Sequence, residues 1–167
     1  DAVQVSPDAG PHGRAQRVQV KAAGQGIAQW AYLPLHRVRT FAFEIVGRSP
    51  DLHELAVSVT LPGGADRSAS NRLIGSTRVT GLGPGWGKLT GNLEIPAGAP
   101  AEAAYRFEVA APKAGQFVLG HVLVRPADHV NGADPDVVNF LRESHLPILR
   151  WPGGNFVSTY HWEDAVG

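Results

Sequence analysis

Thr40–Val46 reads TFAFEIV and Glu54–Leu61 reads ELAVSVTL. In both, apolar side chains recur at every second position, the period of a strand with one face on a core and the other in water. The same period returns in Arg17–Lys21 (RVQVK), Lys88–Ile95 (KLTGNLEI), Ala104–Val109 (AYRFEV) and Phe117–Val124 (FVLGHVLV). Segments of this length and pattern, with turn-forming residues between them, predict an antiparallel sandwich or jelly roll. The inward face is expected to carry Val18 and Val20, then Phe41, Phe43 and Ile45, then Leu55, Val57 and Val59. Opposing them, Leu89, Leu93 and Ile95 should meet Tyr105, Phe107 and Val109. The 20 glycines and 13 prolines are spread along the chain instead of pooled in one linker, which favours many turns over long helices. Gly81–Gly87 (GLGPGWG) is too rich in glycine to be regular, and Pro62–Asn71 reads as a polar loop.

Near residue 126 the pattern changes. Asp134-Pro135 offers a helix cap followed by proline at the first helical position, and Val137, Val138, Phe140 and Leu141 follow at helical spacing. The helix is predicted over Pro135 to Glu143 or Ser144, and a short connection through His145 and Leu146 leads to a predicted strand, Pro147–Arg150. Helix then strand is the order of a unit in an α/β barrel, whose strand C-termini face the catalytic mouth. The expected organisation is a sandwich over residues 1–125 and the first part of a (β/α)₈ barrel over 126–167.

The segment Leu149–Gly167, LRWPGGNFVSTYHWEDAVG, carries the most chemistry. The Pro152-Gly153-Gly154 turn lets backbone approach a ligand closely, and the amide and aromatic groups that follow suit a polyhydroxylated substrate with flat apolar faces. This stretch resembles the first motif of the α-L-arabinofuranosidases of glycoside hydrolase family 51, an arginine, an aromatic and PGG followed by Asn155 and then by an aromatic-rich YxW and an acidic residue. The resemblance extends through Val122–Asp128, Gly132, Asp136-Val137 and Leu141. It implies a mainly β fold: an antiparallel jelly-roll sandwich (galactose-binding-like, akin to carbohydrate-binding modules) followed by one helix and one strand of a truncated (β/α)₈ barrel. It also implies a retaining hydrolase that releases terminal arabinofuranosyl groups from hemicellulose of the arabinan or arabinoxylan type. In that family both catalytic glutamates lie on later barrel strands, so no catalytic residue is expected in this chain.

Length and composition agree with a part of such an enzyme. A (β/α)₈ barrel takes about 250 residues, whereas this chain has 167 and no methionine. A complete glycosidase is therefore not expected. Fifteen basic and fifteen acidic residues cancel without forming blocks, which gives no electrostatic footprint for nucleic acid or an anionic membrane surface and favours a neutral substrate, as the carbohydrate partner implied by the resemblance is. The absence of cysteine excludes disulfides and thiolate metal sites and leaves the compartment open. No apolar run approaches the roughly 20 residues needed to cross a bilayer. The remainder of the barrel is the other expected partner, and self-association stays open.

Among individual residues, Arg150 at the end of the predicted barrel strand can hold a carboxylate ionised or donate to a sugar hydroxyl through a fork that lysine cannot copy. A structural ion pair is its plainer reading. The Asn155 amide both donates and accepts, as sugar hydroxyls do, or caps its own turn. Trp162 is the preferred stacking residue among Trp151, Tyr160 and Trp162, each of which could equally pack beneath a loop. His161 lacks an identified partner and reads as structural. Glu163 and Asp164 do not make an acid pair, because retaining enzymes hold two carboxyls about 5–5.5 Å apart across the reacting bond. In the sandwich, Trp30, Tyr32 and Trp86 are candidates for a carbohydrate-stacking platform, with burial as the alternative. No cofactor or catalytic metal is expected: the histidines lack zinc spacing, and only a structural calcium at Asp8, Asp128 or Asp134 is conceivable. Three readings follow: part of an enzyme, a carbohydrate-binding module, or a purely structural sandwich.

Overall fold

The computed structural model describes residues 3–63, 71–145, 147 and 161. In order, these form β1 (Gln4–Gly10), β2 (Gly13–Val20), β3 (Gly26–Tyr32), β4 (Thr40–Arg48), β5 (Glu54–Leu61), β6 (Arg72–Thr80), β7 (Gly87–Glu94), β8 (Ala104–Ala110), β9 (Gly115–Pro126) and α1 (Pro135–Glu143). The strands build two antiparallel sheets, ordered β1-β2-β9-β4-β7 and β3-β8-β5-β6. With β1 set aside, the remaining orders are those of an eight-stranded jelly roll, two interleaved Greek keys. Contacts divide the chain into two compact units, residues 1–128 and 129–167.

Alternation, strict in β4 and β8 and broken in β5 only at Val59 and Thr60, puts one side chain in two onto the shared core. Phe41, Phe43 and Ile45 from β4 and Leu55, Val57 and Val59 from β5 are almost fully buried, as are Tyr105, Val109 and Phe117. Removing each from water contributes about 1.5–3 kcal/mol, so this layer supplies most of the drive to close the sheets. All the residues expected to face inward do so. Their division between sheets differs from expectation: β5 joins β8 and faces β2 and β4, while β7 pairs with β4. Strand order depends on long-range pairing, which local alternation does not encode. Three strands have no counterpart in the sequence reading: β1, which contains Pro7, β3, and β6 with Gly75 at its centre. Each sits at or next to a sheet edge and buries few side chains, so its apolar period is weak.

Closure drives several polar groups inside, and most of them find partners among the described residues. Ser49, 1% exposed, donates its hydroxyl to the Gln116 carbonyl and accepts from the backbone amides of Asp51 and Leu52. The Tyr105 hydroxyl donates to the Pro100 carbonyl, so a large ring enters the core without stranding its oxygen. Arg37 Nε donates to the Asp128 carboxylate at 2.6 Å, tying the connection before β4 to the end of β9.

A Cβ on Gly26 would overlap the Val109 carbonyl oxygen of the neighbouring strand, whereas one on Gly85 would meet nothing within 4 Å. Gly26→Ala is therefore expected to cost about 1–3 kcal/mol by forcing β3 away from β8. Gly85→Ala should fall within about 0.5 kcal/mol of the wild type. Urea unfolding midpoints check both, and equal midpoints would contradict the close approach.

Candidate functional site

In the second unit, Asn131 and Gly132 take positive φ values of 51° and 90°, and Val130 and Ala133 exchange two backbone hydrogen bonds across them. This is a tight turn with a left-handed pair at its tip, which Asn-Gly adopts at low cost. It delivers Asp134, whose carboxylate accepts from the Asp136 amide and caps α1 with Pro135 in the first turn. The helix starts and stops where the sequence reading puts it. Val137, Phe140 and Leu141 on it are exposed, at 55%, 70% and 38%. The predicted strand Pro147–Arg150 and the candidate residues Arg150, Asn155 and Trp162 lie outside the described residues, as do Trp151, Tyr160, Glu163 and Asp164. His161 is exposed.

In the sandwich the aromatic candidates divide. Trp30 and Tyr32 are two residues apart on β3, which places both on the outward face of the four-stranded sheet, and they are 60% and 83% exposed. Opposite Trp30 in the ladder is Arg106, and the same face carries Glu108, to which Thr60 donates at 2.8 Å. Two open rings beside polar side chains form a shallow platform of the kind that stacks on sugar faces. Trp86 is held differently. The Arg48 guanidinium lies 5.0 Å above its ring, and Gly120, having no side chain, leaves room for the indole against β9. One face of Trp86 is thus occupied by a cation.

Ionic groups near Trp86 fix the outward face of the five-stranded sheet. Asp8 accepts from Arg17 at 2.9 Å and lies 3.4 Å from Arg48. The Arg17 hydrogen bond, followed by that from the Ala9 amide, holds the Asp8 carboxyl below its ordinary value of 3.8. Glu44 takes Lys88 at 2.9 Å and His121 Nε2 at 3.1 Å, and these bonds, Lys88 first, hold it below 4.5. The carboxylates considered for calcium are engaged elsewhere: Asp8 with two arginines, Asp128 with Arg37 and Asp134 with the helix amide. No group of three His, Asp or Glu able to hold a metal occurs among the described residues. Among these residues no helix is long and apolar enough to cross a membrane.

One further feature escaped the sequence reading. Between the sheets, at the β3 edge, a cleft of about 570 Å³ is lined by Gln16, Gln29, Trp30, Phe107, Val109, Val122, Val124 and neighbouring apolar groups. Its signal is the inward set of β3, Ile27, Gln29 and Ala31, too polar and too small to fill a core. That signal becomes visible only once the segment is known to be a strand.

Comparison with known proteins gives no matching family model. The probable α-L-arabinofuranosidase C of Aspergillus terreus is 50% identical over 42 residues, 25% of this chain and 8% of that protein. An arabinose-bound GH51 α-L-arabinofuranosidase superposes on 100% of the chain and 30% of its own length, with a TM-score of 0.69 and 16% identity. The CBM22-2 xylan-binding domain of Paenibacillus barcinonensis Xyn10C matches 75% of the chain and 88% of its own length, at a TM-score of 0.56 and 12% identity. The chain therefore resembles α-L-arabinofuranosidases in sequence over a short stretch and in fold throughout, and spans less than a third of the solved relative's length.

Because the native Asp8 and Glu44 values are depressed, the stability these groups contribute is fully present above 3.8 and 4.5 and is lost as pH falls through the lower native values. Glu44→Gln is expected to reduce that acid sensitivity. Urea midpoints at about pH 7 and about pH 3 should differ less in the variant than in the wild type, and an unchanged difference would show that the Lys88 and His121 contacts carry no linkage.

Proposed function

We propose that this chain is the N-terminal part of a retaining glycoside hydrolase that releases terminal α-L-arabinofuranosyl residues from arabinan- or arabinoxylan-type hemicellulose. The observation that carries the reading is the coincidence of two likenesses, half-identity to an arabinofuranosidase over 42 residues and a fold match to a GH51 arabinofuranosidase over the whole chain. In this reading residues 126–167 begin the catalytic barrel, and the exposed Val137, Phe140 and Leu141 of α1 are the apolar stripe that the rest of the barrel covers. The barrel brings two glutamates from beyond this chain. One attacks the anomeric carbon to form a glycosyl ester while the other protonates the departing oxygen, after which water reverses the ester with the second glutamate as base. These steps need no cofactor.

Within this chain Arg150, Asn155 and Trp162 hold the sugar. The arginine keeps a carboxylate ionised and donates to hydroxyls, the asparagine amide meets hydroxyls in either sense, and the indole covers an apolar face. Such contacts act by positioning the anomeric carbon for attack. The 167-residue chain alone is expected to give no turnover of 4-nitrophenyl α-L-arabinofuranoside. In the intact parent enzyme, Arg150→Ala and Asn155→Ala should each lower kcat/KM about 10²-fold or more. Turnover by the chain alone would overturn the assignment of the glutamates, and a parent inactive on arabinofuranosides would overturn the substrate class.

A second reading concerns the sandwich, which the exposure of Trp30 and Tyr32 favours as a carbohydrate-binding module over a purely structural one. Tethered to a barrel, it raises the local concentration of polymer at the active site. The chain is expected to be retarded in native gels that contain arabinoxylan or arabinan, and Trp30→Ala should weaken the retardation several-fold. Unretarded wild-type chain would leave the structural role.

A further inference from the structure

We infer that the cleft between the two sheets at the β3 edge receives a neutral glycan, with the Gln16 and Gln29 amides reading its hydroxyls. The inference rests on the carbohydrate-binding reading of the sandwich and specifies where and how the sugar is held.

The cleft exists because the core runs out of apolar volume there. In the ladder, Gln16 of β2 lies opposite Leu119, and Gln29 of β3 lies opposite Phe107, so both occupy inward register positions, yet both stay exposed at the open edge. Elsewhere those positions mostly carry leucine, valine, isoleucine or an aromatic ring. Two glutamines and Ala31 leave the sheets unfilled over about 570 Å³, within the roughly 300–1,000 Å³ typical of sites for small organic ligands.

The lining specifies the ligand class. No charged side chain lines the cleft, so an ion would lose hydration without compensation and a neutral molecule is favoured. Each amide offers an acceptor oxygen and a two-hydrogen donor, which suits groups that donate and accept at once, as hydroxyls do. Neither glutamine side chain makes a hydrogen bond to the described residues, so both are free to turn toward a ligand. Ile27, Val122, Val124 and Phe107 form apolar walls suited to the C–H faces of a sugar ring. Trp30, 60% exposed, stands where the cleft opens and can stack on the next residue of the chain. Phe107 and Val109 reach the cleft from the buried core at 7% and 2% exposure, so its floor is closed. A floored cleft open at the sheet edge accepts a sugar laid against its walls.

Binding of α-1,5-L-arabinotriose and of xylotriose to the 167-residue chain, followed by calorimetry, tests the inference beside retardation in polysaccharide gels. At least one trisaccharide should bind, and Gln16→Leu and Gln29→Leu should each weaken it tenfold or more while leaving Tm unchanged or higher, since leucine adds apolar contact where the amide had none. Ala31→Phe, which fills the cleft, should abolish binding, and Tyr32→Ala should leave trisaccharide affinity within about twofold. If the chain is retarded by polysaccharide but the glutamine and Ala31 variants behave as wild type, or if neither trisaccharide binds, the cleft inference is overturned and the module reading stands. If no polysaccharide retards the wild-type chain, both fall together.

Discussion

Strand β9 must satisfy two neighbours at once. Its first residues pair with β2 and its later ones with β4, and the sandwich closes only if the same side chains face inward along its whole length. A regular twelve-residue strand would do this with an unbroken alternation. Instead, the register against β4 shifts by one between Val46 and Gly47, with Gly120 as the extra residue. Phe117 and Leu119 face inward before the bulge, and Val122 and Val124 face inward after it. A bulge bends its strand and sharpens the local twist. Here its glycine also makes space for Pro11 and the Trp86 ring on the other side of the sheet. One inserted residue thus sets the packing on both faces of the five-stranded sheet.

That constraint explains what alternation along the sequence revealed and what it hid. β4, β5 and β8 bury every second residue and were legible at nearly their observed bounds, and α1 was legible because Asp134-Pro135 is a local signal. β1, β3 and β6 were not, because strands at or near an edge share less of the core and their apolar pattern fades. FVLGHVLV reads as a strand, but the inward set changes parity in its middle, and a strict period of two would place Val122 and Val124 outward. Sheet order stayed hidden for a different reason. It is decided by pairings such as Phe43 with Val124, 81 positions away, and nothing local to either residue specifies the partner. For the candidate site, the exposure of Trp30 and Tyr32 depends on their parity on a strand the sequence did not disclose. The Arg48 guanidinium over Trp86 depends on two loops and a bulge.

Charges on the outward face orient more than they stabilise. The pairs Asp8 with Arg17 and Glu44 with Lys88 are open to water, where screening and side-chain ordering leave an ion pair little net gain. Their geometry has a clearer consequence. Asp8 draws Arg17 and Arg48 together, and Arg48 in turn lies over Trp86, so one arginine links a carboxylate on the outermost strand to the cover of the indole. Trp30, on the opposite sheet, has no cation over its ring among the described residues and stands exposed, whereas Trp86 is covered by Arg48 and packs against Gly120.

The cleft at the β3 edge belongs to the same logic. Leucines in place of Gln16 and Gln29 would bury more apolar area, although at these exposed positions the gain is only a part of the about 1.5–3 kcal/mol that a fully buried side chain contributes. A sandwich shaped only to hold itself together gains from that exchange, since β3 lies at the edge of its sheet and its inward positions are as open to apolar side chains as those of β5. The amides instead leave a polar-tipped opening between the two sheets, beside the strand that also presents Trp30 and Tyr32 to solvent. Stability forgone at one edge, together with exposed aromatics at that same edge, is the pattern expected where a surface is shaped for a ligand and not for the core.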